Sequence, residues 1–583
     1  KQYIWVAIYA GNEGSLLFIA FALAVLSAIA IFFTPSQNQH SVPHINSVLM
    51  VILIFFVGVM VFLANPFALS QTIPADGKGM NPLLTHPGMF IHPPVLMTGL
   101  ISFSVPFSIA MGSLLAGKIE DQWVDSGRLW GIICWGMLGT GLLLGSWWAY
   151  TILGWGGYWG WDPVENVALL PWLIATAYLH SALAQERRGQ LRAWTVGLVL
   201  ISYALAIFGT FVVRSGVLTS VHSFALSDVG PIFFIFLGIL LAVSTTLFVY
   251  RLPQLRSPIP ITAIASKEAG FLLNNLLLLS IAIATFWGTI FPMVTEIIEG
   301  SRITVGPPFY TQVNTPLFVI LLGLLAIWPL LAWRRTSLRA AWKSTRWPIL
   351  TALGVSALLI ILGMRDGLPI VAASLAVSVF SGVTLEFARV LKASFRARRS
   401  ASPGVTLFAS NRRRLGSYVV HLGVAVFAIG VIGSSGFGQE TVASLARGES
   451  ANINDYTVVY EGLRSNAQPG LIKVTADLKL LRDGIVLGSL TPERRIHAGW
   501  ETQPTADVAI ITSLPRLDDI YVLLSSWDAD TSSVVLRILV KPLVVLLWIG
   551  GLLYFVGVVI IAWPRSQREH SAMHLPQLGK PIS

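Results

Sequence analysis

NSVLMVILIFFVGVMVFLA, residues 46–64, carries no charged side chain and no proline. An α-helix needs roughly 20 such residues to cross about 30 Å of hydrocarbon. Working outward, the chain shows about thirteen stretches of this kind. They begin near Ser15, Asn46, Ile91, Leu129, Val167, Ala193, Val229, Gly270, Pro316, Trp347, Leu368, Arg414 and Val540. Composition agrees: 54% of the 583 residues are hydrophobic and 11% charged, where soluble proteins carry about 25% charged residues. The expected fold class is an all-α polytopic membrane protein, with membrane lipid as its first partner.

Orientation follows from the basic residues, because short cytoplasmic loops retain Lys and Arg. Alternate loops hold them: Arg187, Arg188 and Arg192 in one, Arg251, Arg256 and Lys267 in the next, then Arg334 to Arg346, then Arg389 to Arg414. The intervening short loops hold little beyond Lys78, Arg214, Arg302 and Arg365. Those loops are therefore expected on the outer, periplasmic side of a bacterial inner membrane. The alternation also accounts for the net charge of +11 without a nucleic-acid partner, and no nucleic-acid-binding motif is present.

Residues 1–435 read as one helical bundle. From 436 to 535 the apolar runs shorten, and YTVVYEGL, LIKVTADLKLL and ADVAIITSL alternate as half-buried strands do. This predicts a small β-rich periplasmic domain, followed by a last spanning helix over 536–563 and a cytoplasmic tail over 564–583. The chain opens on Lys1 and enters a helix almost at once, without a basic leader and cleavage site, which reads as a truncated start and not a signal peptide. Cys134 is the sole cysteine, so the outward domain has no disulfide and the chain has no C-x-x-C-H of its own.

The densest chemical signal is WGGYWGWDPVEN, 155–166, within an outward loop spanning 150–166. Trp155, Tyr158, Trp159 and Trp161 alternate with Gly156, Gly157 and Gly160, giving flat rings on a backbone that a ligand can approach closely. Such a surface suits a porphyrin; an aromatic belt at the membrane interface is the competing explanation. Asp162 and Glu165 have the spacing of an N-terminal capping box with Pro163 at the first helical position, which favours capping over catalysis.

Four of the ten histidines converge on one problem. His92 and His222 share the outward face with the aromatic loop and could ligate a haem iron from both sides. His180 and His421 lie inside helices at comparable depth. A buried histidine can be satisfied by an interhelical hydrogen bond, but a matched pair is more simply read as bis-histidine ligation of a second haem. His86 and His497 are outward and remain possible haem neighbours. Arg214, an outward cation beside the His222 loop, is expected either to pair with a haem propionate or to snorkel to the interface.

These motifs resemble one family. WGGYWGWDPVENVALLPWL, HPPVL at His92, RSGVLTSVHSFA at His222, the helix of His180, YVVHLGVAVFAIG at His421 and NEGSLL near the start are together similar to the large haem lyase subunit of cytochrome c maturation, the CcmF/NrfE family of the tryptophan-rich (WWD) haem-handling superfamily. The resemblance runs over almost the whole chain. It implies that haem arrives on a periplasmic haem chaperone (CcmE-like) and docks on the platform of Trp155, Trp159, Trp161 and Asp162 with His92 and His222 as ligands. It implies attachment to C-x-x-C-H of apocytochrome c, presented by thiol-reducing and apocytochrome-binding subunits (CcmH/CcmI-like). His180 and His421 would then hold a haem b that reduces the incoming iron. Family members usually have further helices before EGSLL, and some have His where this chain has Asn12. Two alternatives stay open: a proton-coupled or haem transporter, which would more naturally show broken helices and midplane carboxylates, and a smaller haem-loading relative, which would lack the buried pair and the large outward domain.

Overall fold

With no water in hydrocarbon to satisfy N–H and C=O groups, each apolar stretch closes its own hydrogen bonds as a helix. The computed structural model describes residues 3–69, 79–117, 122–218, 220, 229–261, 263–333, 335–396, 405–501, 503–528 and 530–563. Among these, thirteen helical segments are long and apolar enough to cross a membrane, as the apolar runs imply. In chain order the helices are α1 (Ile4–Ala10), α2 (Asn12–Phe32), α3 (Val42–Phe62), α4 (His92–Ser102), α5 (Ser104–Ala116), α6 (Gln122–Ile152), α7 (Pro163–Arg188) and α8 (Arg192–Ser215). They continue with α9 (Gly230–Arg251), α10 (Lys267–Glu299), α11 (Pro307–Ile327), α12 (Leu338–Ile361), α13 (Gly367–Arg396), α14 (Val405–Gly436) and α15 (Val544–Ala562). Helices α4 and α5 form one span broken at Phe103. Pro106, in the first turn of α5, has no N–H to donate and crowds the carbonyl of Ser102, so a continuous helix fails there.

Between α14 and α15 lie ten strands in two antiparallel sheets. One has the order β1 (Gln439–Leu445), β10 (Ser533–Pro542), β9 (Asp518–Asp528), β8 (Ala509–Ser513). The other runs β2 (Ser450–Ile453), β3 (Tyr456–Gln468), β4 (Leu471–Arg482), β6 (Glu493–His497), β7 (Thr505–Asp507), with β5 (Ile485–Leu490) also on β4. Alternate residues Tyr456, Val458 and Tyr460 of β3 face Ile520, Val522 and Leu524 of β9 within one buried core.

The expected border at residue 535 falls inside β10, and the last helix starts at Val544, not 536. The reason is burial on both faces. Val534, Leu536, Ile538 and Val540 fill the sandwich, while Leu539 joins Tyr521, Leu523 and Val544 against Tyr150 of α6. A strand covered on both sides loses its alternation and reads like the beginning of a span.

Small residues decide how the last two helices meet. Gly416, Gly423 and Gly430 recur every seventh residue on α14, and Gly550 and Gly557 do so on α15. A Cβ added at Gly423 would stand 2.7 Å from the carbonyl oxygen of Gly550, and one at Gly430 would stand 2.5 Å from the backbone nitrogen of Leu547. The backbones therefore touch, which is how helices associate where the solvent is as apolar as the side chains. Replacing Gly423 with Leu should force α14 and α15 apart and destabilise the protein by about 1–3 kcal/mol or more. A fall in the thermal unfolding midpoint of detergent-purified protein, larger than for Gly354→Leu at an open position of α12, is the expected result.

Candidate functional site

The aromatic loop closes between Ile152 and Pro163. Asp162 caps α7, its Oδ2 accepting from the Val164 N–H at 2.9 Å. Glu165 reaches back, its Oε2 accepting from the N–H groups of Asp162 (3.1 Å) and Gly160 (2.9 Å). The two carboxylates form the capping box that their spacing suggests. Trp161 is held at φ 55°, left-handed for a bulky residue, a conformation that costs on the order of 1–3 kcal/mol unless its surroundings impose it. Here the Asn166 amide donates to the Trp161 carbonyl at 3.1 Å, and the indole stacks on Tyr310 of α11, centroids 5.1 Å apart and planes 5° from parallel.

The other rings are fixed as firmly. Trp159 stands edge-on to Trp161 at 5.9 Å. Trp155 lies over Gly160, where a Cβ would come 2.7 Å from its ring. Tyr158 shares a hydrogen bond of 2.9 Å with Ser434 of α14. The Arg537 guanidinium of β10, paired with Glu440 at 2.6 Å, donates to the Trp155 carbonyl at 3.2 Å. Leu539 packs onto Gly156 so closely that a Cβ there would lie 2.7 Å away. All of these rings are half-buried among protein partners, unlike the scattered anchors of an interfacial belt.

Ser220 donates to Asp162 Oδ2 at 2.5 Å, so the cap of α7 also holds Ser220, two positions before His222 in the chain. His222 itself lies outside the described residues. His92 opens α4 with its Nδ1, 2.9 Å from the Gly141 carbonyl, donating to that oxygen. Its ring meets Trp148 edge-on at 5.4 Å, in space left by Gly145, where a Cβ would come 2.7 Å from the imidazole. His86 is engaged at both nitrogens: Nδ1 accepts from Gly88 N–H at 3.0 Å and Nε2 lies 3.2 Å from the Thr151 hydroxyl. Burial pushes its pKa down, against the pull of Asp507. His497 sits on β6 beside Thr505.

At 1.5 Å per residue, His180 lies about 25 Å along α7 from the loop and His421 about 22 Å along α14 from the β-domain. The two helices that carry them, α7 and α14, are joined at their far ends by the Glu186–Arg413 ion pair at 3.8 Å. The Nδ1 of His180 donates to the Thr176 carbonyl at 2.7 Å, leaving Nε2 as the basic nitrogen. Thr176 is fixed in turn by the Trp135 indole N–H at 2.8 Å. Among the described residues, no three His, Cys, Asp or Glu side chains come together as metal donors.

Arg214 is buried at the end of α8. Its Nη1 donates to the Asn12 carbonyl at 3.0 Å and to the Asn12 side chain, and its Nη2 donates to Ser15 at 3.1 Å. The guanidinium is thus turned inward onto α2 and does not snorkel. Sequence reasoning does not single out Tyr310, Arg537, Ser220 or Tyr150: Tyr310 and Arg537 come from elements distant in the chain, while Tyr150 at the start of the loop and Ser220 beside His222 each offered a local signal.

Two family models match: cytochrome c assembly protein over residues 9–218, and the CcmF C-terminal β-sandwich over 436–542. The cytochrome c-type biogenesis protein CcmF of Pseudomonas aeruginosa is 34% identical over 97% of this chain and 85% of its own length. The chain belongs to the CcmF family. CcmF of Escherichia coli is 30% identical over 97% of this chain and 85% of its own, and NrfE of Haemophilus influenzae 31% over 94% and 84%. A solved structure of the cytochrome c haem lyase CcmF superposes with a TM-score of 0.77 at 27% identity, covering 96% of this chain and 84% of that one. The CcmF β-sandwich match ends at residue 542, where β10 ends.

The CcmF sandwich docks through a buried carboxylate. Asp519 accepts from Tyr150 of α6 at 3.0 Å and from Thr512 at 2.7 Å, and its burial raises the carboxyl pKa above the usual range. A raised folded value means that this group favours folding below its unfolded pKa of about 3.9 and that the contribution is lost as pH rises through the folded value. Asp519→Asn should therefore unfold at an equal or higher temperature than wild type at pH 7.5, with the difference closing towards pH 4. Thermal unfolding in detergent between pH 4 and 8 checks this.

Proposed function

We propose that this chain is the haem lyase of cytochrome c maturation in a bacterial inner membrane, with the aromatic loop and the β-sandwich on the periplasmic side. The observation that carries the proposal is the Ser220–Asp162 hydrogen bond of 2.5 Å, which ties Ser220, two positions before His222 in the chain, to the end of the loop of Trp155, Trp159 and Trp161. Orientation is supported by the basic loops, which cluster at the end of the bundle opposite the β-domain. Haem is the substrate, delivered by a periplasmic haem chaperone of the CcmE kind. His92 and His222 are its ligands, and the three indoles with Asp162 form its platform.

Thioether formation adds each cysteine S–H of the apocytochrome C-x-x-C-H across a vinyl group: an S–C bond forms, the hydrogen goes to the other vinyl carbon, and no electrons are lost. The task for the protein is positioning, which can lower a barrier by roughly 7–11 kcal/mol. Partners of the CcmH/CcmI kind would keep the thiols reduced and present them, and the β-sandwich beside the loop is the surface for that work. His180 and His421 would hold a resident haem b, whose one-electron chemistry suits reduction of the incoming iron. Arg214 fixes α2 to α8 through Asn12 and Ser15, and a haem propionate would be its further partner.

Purified protein should show a dithionite-reducible, low-spin haem b spectrum that is lost in His180→Ala and in His421→Ala. Absence of that signal in wild type even after added hemin would defeat the buried-pair assignment. Separately, Trp159→Ala should keep the buried haem signal while reducing covalent haem on a co-expressed apocytochrome by about a hundredfold, since a misplacement of 1 Å can cost that much. In-gel haem staining reads this, and unchanged staining would remove Trp159 from the platform.

A further inference from the structure

At the end of the bundle away from the β-domain, the short turn from α7 to α8 borders a cavity of about 400 Å³, within the range of roughly 300–1,000 Å³ typical of small-ligand sites. Its walls come from the start of α8, the end of α9 and the following segment to Ile261, and no acidic side chain lines it. The walls are apolar at Trp194, Val249 and Leu252, of which Val249 on α9 and Leu252 just after it continue onto the exposed surface. Arg256, exposed, stands at its polar end.

Two features set this cavity apart from ordinary packing. Gln190 is 4% exposed and donates to the Pro260 carbonyl at 3.4 Å, yet its Oε1 has no hydrogen-bond partner among the described residues. A buried acceptor without a donor costs about 1–3 kcal/mol. Beside it Leu191, also in the wall, adopts φ 59°, left-handed for a non-glycine residue. Strain of that kind persists where the surroundings impose it, and such places tend to be binding sites.

We propose that this cavity binds the head group and upper acyl chain of an anionic, hydroxyl-bearing glycerophospholipid, of the phosphatidylglycerol type. Its level, where α7 and α8 end and begin, is that of the lipid head groups. Arg256 meets the phosphodiester, and a glycerol hydroxyl donates to the Gln190 acceptor. The acyl chain follows Trp194, Val249 and Leu252 outward along the lipid-facing side of α9. Arg187, Arg188, Arg192 and Arg251 surround the site in sequence, which favours an anionic head group over one bearing an ammonium.

Native mass spectrometry of the full chain tests this, after stepwise delipidation in detergent and titration with phosphatidylglycerol, phosphatidylethanolamine or inorganic phosphate. The expected result is one tightly retained phosphatidylglycerol, about fivefold weaker binding in Arg256→Ala, a reduced preference over phosphatidylethanolamine in Gln190→Leu, and no displacement by millimolar phosphate. Arg339→Ala, an exposed arginine of α12, serves as the control. Equal retention of the two lipids by wild type, an equal loss in Arg339→Ala and Arg256→Ala, or displacement by free phosphate would each overturn the proposal.

Discussion

One carboxylate, that of Asp162, holds three parts of this protein in register. It caps α7, its backbone N–H is itself bound by Glu165, and it receives the Ser220 hydroxyl from the segment before His222. A helix start leaves orphan N–H groups with a partial positive charge, so an acidic cap is stabilising there whatever its other duties. The capping role and a place in the site are therefore compatible: the interaction that begins α7 also sets where the aromatic loop ends. Because α7 is continuous from that cap to His180, the same contact fixes the level at which the buried histidine lies.

The β-domain is joined to the bundle by more than its two connecting chains. Arg537 and Leu539 press on the first half of the aromatic loop, Tyr158 reaches the end of α14, and Tyr150 meets Asp519. Trp161 closes the other side against Tyr310. The loop is consequently clamped by α11, α14 and β10, and its left-handed tryptophan is held by the packing around it. Rings presented in this way lose little further freedom when a flat ligand arrives, which is the physical content of preorganisation.

The far end of the bundle is organised by charge. Glu186 of α7 pairs with Arg128 of α6 and, at 3.8 Å, with Arg413 of α14, while Glu386 of α13 receives Arg389 and Arg414, each at 2.6 Å, and Tyr418 at 3.0 Å. Buried carboxylates are stable only when paired and hydrogen-bonded, and these pairs link the helices that carry His180 and His421. Backbone contact through Gly423 and Gly550 fixes α14 from its other side. Ion pairs and glycines, residues without any haem chemistry, thus set the spacing of the helices that carry the two histidines.

Much of this was legible in the order of residues. Thirteen spans, a β-rich insertion and the capping box of Asp162 and Glu165 follow from local rules: a bilayer demands apolar runs of fixed length, a half-buried strand alternates, and a cap needs its acceptor at a fixed offset. The aromatic loop and the four histidines could be named for the same reason, since their chemistry is written in side-chain type and spacing. What tertiary structure alone decided was partnership. Nothing local marks Tyr310 as the stacking partner of Trp161, Arg537 as the clamp on Trp155, or Asn12 and Ser15 as the acceptors that turn Arg214 inward, because each pair is joined only when helices or strands distant in the chain pack. The end of β10 was misplaced from sequence for a related reason: burial on both faces erased the alternation that identifies a strand, and burial is a property of the assembled fold.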